Sequence, residues 1–212
     1  VQVRKVVMLS ADRGEHVRPA WSPDGKQIAY AWDGDQGNLD IYVRLVSGSD
    51  PLRLTNSELV ELFPVFSPDG SQVAIASSTG AYFFDSQTLQ PLNYFPTEAW
   101  ISSLAYSPDG KSVALWLPSG AISIRDASTG QQIIRLSVKT DFTVGFTTQG
   151  MHNVAYTADG STVAGGVGDG MVHLFDVATG KLLRSIKGSE TSISGIALSP
   201  NGKLLASTAV FE

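Results

Sequence analysis

Apolar and polar positions alternate along most of this chain in runs of five to seven residues, broken by short turn-forming clusters. The alternation is clearest around an alanine. Ala29 lies between Ile28 and Tyr30, Ala74 between Val73 and Ile75, and the same small residue returns as Ala114, Ala164 and Ala206. A period of two predicts β-strands, here with one face packed more tightly than the other. Four residues before each alanine stands a glycine, and four residues before that glycine a large apolar residue: Trp21, Phe66, Tyr106, Tyr156 and Leu198. Each glycine therefore joins two antiparallel strands. A third strand is predicted over "DIYVRLV", "AYFFDSQ", "AISIRDA" and "MVHLFDV", and a fourth over "PLRLT", "PLNYF", "QIIRL" and "KLLRSI", with turn signals such as "STG" and "ATG" between them. No stretch of useful length has helical periodicity.

The turns explain the repetition. They read Ser22-Pro23-Asp24-Gly25, Ser67-Pro68-Asp69-Gly70, Ser107-Pro108-Asp109-Gly110, Thr157-Ala158-Asp159-Gly160 and Ser199-Pro200-Asn201-Gly202, at glycine spacings of 45, 40, 50 and 42 residues. The hydroxyl side chain hydrogen-bonds the backbone ahead of it, proline presets φ, Asp or Asn suits the second corner, and glycine takes a positive φ without steric cost. Four strands per repeat at this period predict an all-β propeller of four-stranded antiparallel blades: four complete blades and a partial fifth, in one domain over residues 1–212. The stretch "VQVRKVVMLS" reads as one further strand, placed to clasp the last blade. Even with it, the fifth blade is one strand short. We therefore expect a share of a larger ring of six to eight blades, with a compact five-bladed ring as the alternative.

Composition narrows the class. Of the 212 residues, 42% are hydrophobic and 17% charged, which describes a folded chain, and the net charge of −5 supplies no basic excess to attract phosphates. Nucleic acid is accordingly not expected as a partner. Nor is membrane insertion, because no window approaches 18 uninterrupted apolar residues. The absence of cysteine excludes disulfides and thiolate chemistry, and fits a cytoplasmic compartment as well as a periplasmic or extracellular one.

The stretch "RPAWSPDGKQIAYAWDGDQGNLDIYVRLVSGSDPLRLT" resembles the TolB-like propeller repeat of bacterial proteins, and "VAYTADGSTVAGGVGDGMVHLFDVATGKLLRSIKG" resembles a WD repeat. Phe175-Asp176 stands where that family writes Trp-Asp, as do Phe84-Asp85 and Arg125-Asp126 in earlier repeats. The resemblance spans almost the whole chain. It departs from the WD pattern in lacking Trp-Asp itself, and Gly14-Glu15-His16 is only a distant echo of that family's Gly-His. The resemblance implies a fold that hosts many roles.

Candidate chemistry is sparse. His16, His152 and His173 show no ligand spacing, so structural roles are expected. "GGVGDG", Gly165–Gly170, lacks the Lys-Ser/Thr ending and following helix of a phosphate loop and is read as a hairpin turn. "DGDQGNLD" offers Asp33, Asp35, Asn38 and Asp40 as oxygen ligands of the kind Ca²⁺ takes, but Gly37 stands where the pattern wants a ligand and no terminal Glu follows; a solvated hairpin loop is the competing reading. No cofactor and no catalytic residue is assigned. Trp21 is expected in the core, and Trp32 and Trp100 half-exposed at strand ends. Trp116 is an oddity, because other repeats carry Ala31, Ala76, Gly166 and Thr208 at its position. Either the neighbouring blade leaves a gap for it, or it opens onto a surface.

In such an array the Ser-Pro-Asp-Gly turns lie on one rim and the irregular loops on the other. Loops of excess length on a rigid scaffold are where recognition concentrates. The expected partner-binding residues are Asp33, Asp35, Trp100, Phe142, Phe146 and Met151, the last three in the long segment "VKTDFTVGFTTQGMH", with tucking into the groove between blades as the alternative for Phe142, Phe146 and Met151. The functional expectation is a non-catalytic scaffold for a protein partner. Two alternatives remain: an enzyme or accessory propeller with a sugar, peptide or other small molecule in the central channel, and a sensor domain fused to a kinase or transcriptional regulator.

Overall fold

A computed structural model describes residues 14–34, 38–48, 50–138 and 154–209. The described strands form four four-stranded antiparallel sheets and one two-stranded sheet. Blade 1 contains β1 (His16–Trp21), β2 (Gln27–Trp32), β3 (Asp40–Leu45) and the short β4 (Leu52–Arg53). Blade 2 is β5 (Glu61–Phe66), β6 (Gln72–Ser77), β7 (Gly80–Asp85) and β8 (Pro91–Pro96). Blade 3 is β9 (Ser103–Tyr106), β10 (Ser112–Trp116), β11 (Ile122–Asp126) and β12 (Gln132–Leu136). Blade 4 is β13 (Val154–Tyr156), β14 (Thr162–Gly166), β15 (Met171–Asp176) and β16 (Leu182–Lys187), and the partial blade 5 is β17 (Ile193–Leu198) and β18 (Leu205–Ala209). Residues 1–13, with the strand expected there, lie outside the described residues.

First strands of successive blades pack against one another (β1 on β5, β5 on β9, β9 on β13, β13 on β17), so they face a common axis while the fourth strands lie outside. The five turn glycines have φ of 69°, 74°, 71°, 72° and 66°, a region closed to most side chains. In every turn the first residue's hydroxyl bonds the side chain two positions on, at 2.6–2.7 Å. The turns also stack: a Cβ on Gly70 would touch Pro23 at 3.4 Å, on Gly110 Pro68 at 3.7 Å, and on Gly160 Pro108 at 3.5 Å.

The core is a series of sandwiches between blades, and the alternation read from sequence sets it. Ala29, Ala74, Ala114 and Ala164 are all 0% exposed and each faces the next blade. Their larger neighbours face the blade before: Val73 and Ile75 pack on Ala29 and Ala31, and Val113 and Leu115 on Ala74 and Ala76. A small face against a large one lets flat sheets approach closely around a curve. The equivalent Ala206 of blade 5 is exposed.

Two tryptophans show what the sequence left open. Trp116 is 1% exposed, and an ideal Cβ at Gly165 would lie 2.0 Å from its Cζ3, so blade 4 leaves a glycine-sized gap that the indole fills. Trp21 departs from expectation: it is 56% exposed rather than core. Its equivalents Phe66, Tyr106 and Tyr156 are half-buried because they lean on the preceding blade, the last two reaching Gln72 Oε1 at 3.1 Å and Ser112 Oγ at 3.3 Å. Among the described residues no blade precedes blade 1, so Trp21 has nothing to lean on.

Candidate functional site

The two rims differ in how their polar groups are engaged. On the turn rim, Asp24, Asp69, Asp109 and Asp159 each accept from a hydroxyl and from the backbone N–H two residues ahead. These bonds hold the carboxyls below their ordinary range, Asp159 at about 2. The turns joining third and fourth strands share this rim. There Asp85 and Asp176 fold back onto Thr88 and Thr179, and Asp126 onto Ser128 and Thr129, which holds all three low, Asp126 at about 2 through the Ser128 hydroxyl above all. Clefts of 590 and 420 Å³ lie between successive turns, but their acidic side chains are the same ones that close the turns.

The opposite rim holds the irregular loops. Asp33 Oδ1 accepts from Glu15 N at 2.8 Å and ties the start of β1 to the end of β2. Trp32 is half-buried, stacked on His16 with ring centroids 5.1 Å apart and tilted against Tyr42 at 4.8 Å. Trp100 is half-buried at the blade 2–3 loop. Thus the structure brings Asp33 and Trp32 together at one blade and sets Trp100 two blades along. Asp35, Phe142, Phe146 and Met151 fall outside the described residues.

Of the oxygen-ligand candidates, Asp40 is 2% exposed and bonded to Arg53 Nη2 at 2.5 Å, and Asn38 donates its amide to the carbonyls of Ser57 and Leu59 at 2.6 and 3.2 Å. Both side chains are thereby engaged within the protein. Among the described residues no three His, Cys, Asp or Glu side chains group as metal ligands.

Asp40 belongs instead to a buried polar junction between blades 1 and 2. Thr55 Oγ1 accepts from Ile41 N at 2.9 Å and lies 3.4 Å from Asp40 Oδ1, and Ser57 Oγ donates to Glu61 Oε1 at 2.6 Å. Glu61 is 3% exposed and its Oε2 makes no hydrogen bond. Burial pushes its pKa up; hydrogen bonds from Ser57 and Thr55 oppose this, and the neighbouring Asp40 carboxylate adds to it. A 370 Å³ cleft lined by Asn38, Arg53, Asn56, Ser57 and Glu58 opens beside this network. Sequence reading missed the junction, although an acid opening the third strand and a Thr closing the fourth were visible signals.

It also missed the axis-facing strands. β1 and β5 each carry a bulge, between Val17 and Ala20 and between Leu62 and Val65. At these bulges Arg18 has φ 57° and Phe63 φ 55°. The guanidinium carbon of Arg18 sits 5.1 Å from the Phe63 ring centroid. The available signal was Pro19 and Pro64 inside runs that otherwise read as strand, since proline within a sheet marks an edge or a bulge.

Comparison with known proteins agrees with this architecture. The model for "WD domain, G-beta repeat" matches residues 180–210. The chain is 29% identical over 97 residues to the "Uncharacterized peptidase YuxL" of Bacillus subtilis (strain 168), a match covering 45% of this chain and 14% of that protein. It is 34% identical over 77 residues to the Tol-Pal system protein TolB of Francisella tularensis subsp. mediasiatica (strain FSC147), covering 36% of this chain and 17% of that one. The chain thus spans less than a fifth of the length of these curated relatives. A chain from a crystal structure of the mitotic checkpoint complex superposes with a TM-score of 0.73 at 18% identity, over 99% of this chain and 65% of that one. Sequence repeats, blade geometry and these matches together show a β-propeller fold whose repeats are similar to those of WD-repeat and TolB-like propellers.

Proposed function

We propose that this chain is a non-catalytic interaction module that binds a protein partner through the rim of irregular loops. The observation that carries the reading is the contrast between rims. The aspartates of the regular rim are consumed in closing their own turns, whereas the irregular rim carries aromatic side chains and the cleft beside Arg53 with no repeated structural duty. The protein complex that contains the superposing chain supports a protein as the kind of partner. On this reading Asp33, Asp35, Trp100, Phe142, Phe146 and Met151 form the contact surface, and Phe142→Ala or Phe146→Ala weakens binding by about 1–4 kcal/mol. The reading also treats residues 1–212 as one domain within a larger ring, supported by the exposure of Ala206 where its four equivalents are 0% exposed.

A photo-crosslinking residue placed at Trp100 on one rim, and at Lys111 on the other, tests the assignment in cells. Crosslinks to a discrete partner from position 100 and none from position 111 are expected. The reverse pattern refutes it. A second reading rests on the peptidase-named relative: the propeller serves as accessory to a hydrolase elsewhere in a longer protein. Peptidase activity in the full-length protein that is lost on deleting this segment would favour it.

A further inference from the structure

Phe63 packs against the core between blades 2 and 3, but the only contact the structure gives the guanidinium of Arg18 among the described residues is the Phe63 ring. Both residues hold a left-handed φ, which a bulky side chain rarely adopts, and both precede proline, which pushes its predecessor towards extended backbone. Strain of this kind persists where the fold over-determines it, and it concentrates at ligand sites. The bulges at the same point of two successive blades aim two unlike side chains at one another. Arg18 ends up half-buried, with its guanidinium carbon over the Phe63 ring, 5.1 Å from the centroid. Its guanidinium makes no hydrogen bond and no ion pair among the described residues, so its donor fork stays available beside the ring.

Charge sharpens the point. Arg18 is the sole Lys or Arg on the axis-facing strands β1, β5, β9, β13 and β17, in a chain of net charge −5. Burial lowers its pKa and the nearby Glu15 carboxylate raises it; an arginine stays charged through either change. Its place is three residues into β1, towards the rim that carries Asp33 and Trp100. A planar, partly desolvated guanidinium with an unused fork is matched best by a planar anion that accepts two parallel hydrogen bonds.

We propose that Arg18, over the Phe63 ring at the axis-facing strands, is a carboxylate-recognition site that receives an acidic side chain or chain terminus of the bound protein. The assignment rests on the partner-binding reading above and names the chemistry of its contact. Phe63 orients the fork, and the two bulges bring the pair together on the axis-facing strands.

The test uses small carboxylates in place of the partner. The Arg18 Nε–Hε signal is followed by ¹H–¹⁵N NMR and assigned by its loss in Arg18→Gln. N-acetyl-alanine represents a chain terminus, N-acetyl-glutamate α-amide an acidic side chain, and N-acetyl-alanine amide the neutral control. A saturable shift with either carboxylate, and none with the amide or with matched sodium chloride, is expected. The carboxylate that binds identifies the source. Arg18→Lys should bind several-fold more weakly, because it keeps the charge and loses the fork. Phe63→Leu should also weaken binding while the Arg18 signal persists. Circular dichroism melting identifies variants that remain folded. If the Arg18 signal in the unsubstituted protein ignores both carboxylates, or moves equally with chloride, the proposal fails. That failure would leave the rim assignment standing, since the crosslinking pattern does not depend on it.

Discussion

Gly165→Ala tests the packing between blades 3 and 4, because the sign of its effect is diagnostic. Glycine to alanine in a strand, with no steric conflict, should stabilise by about 0.4–1 kcal/mol through the unfolded chain. Gly165 has no positive φ, so the backbone would accept alanine. The added methyl, however, would lie 2.0, 2.8 and 2.9 Å from Cζ3, Cε3 and Cη2 of Trp116. Carbon atoms rest about 3.5–4.0 Å apart, so the ring must retreat by about 1.5 Å. Trp116 is 1% exposed, within the buried cluster that also holds Ile122, Ile124 and Phe175, so the ring has no solvent side to retreat into. Overpacking of this kind costs about 1–3 kcal/mol, which exceeds the unfolded-state gain. For a chain of this size each kcal/mol lowers Tm by about 2–4 °C. Trp116→Leu alone should also destabilise, by leaving a void. Combined with Gly165→Ala it should lose less than the two single losses together, with a coupling of about 0.5–3 kcal/mol. Thermal and urea melts followed by far-ultraviolet circular dichroism give all four corners of the cycle. A Gly165→Ala protein as stable as the original, or strict additivity in the double variant, would refute the packing argument.

Three further outcomes follow from the same geometry. Glu61 has its folded pKa raised from 4.5, so it favours folding most below that value and loses the contribution as pH rises through the folded pKa; Glu61→Gln should therefore gain Tm relative to the original between pH 4.5 and pH 7, and a pH-independent difference would count against it. Asp126 is shifted the opposite way, to about 2, so its contribution is present above 3.8 and fades as pH falls through about 2; Asp126→Asn should flatten the acid limb of a Tm–pH curve, and an unchanged limb would contradict this. Gly25 and Gly130 have similar φ, 69° and 71°, but a Cβ meets nothing within 4 Å at Gly25 and Phe95 Cδ1 at 2.4 Å at Gly130, so Gly25→Ala should lose about 1–2 kcal/mol and Gly130→Ala measurably more in urea melts. Equal losses would mean that Phe95 yields without cost.

The turns and the strand alternation were decided by the sequence itself, because both are local. A Ser-Pro-Asp-Gly run closes through its own side chain and a positive φ, and a period of two assigns faces without reference to any neighbour. Hence the five turns, the alanine faces and the hairpin at Gly165–Gly170 were legible residue by residue, as were the half-buried Trp32 and Trp100. What each face meets was not. Trp21 and Tyr106 occupy the same repeat position, yet one is 56% exposed and the other is half-buried with its hydroxyl on Gln72, because burial there depends on the blade before. Trp116 was ambiguous until Gly165 was placed against it across a blade boundary. Arg18 and Phe63 are 45 residues apart in sequence and meet only because two blades stand side by side at a common axis. Asp40, Arg53 and Glu61 likewise became one network only when blade 2 closed on blade 1. A repeat specifies its own turn and its own two faces; burial, charge pairing and recognition arise at junctions between repeats, where tertiary packing decides which residues meet.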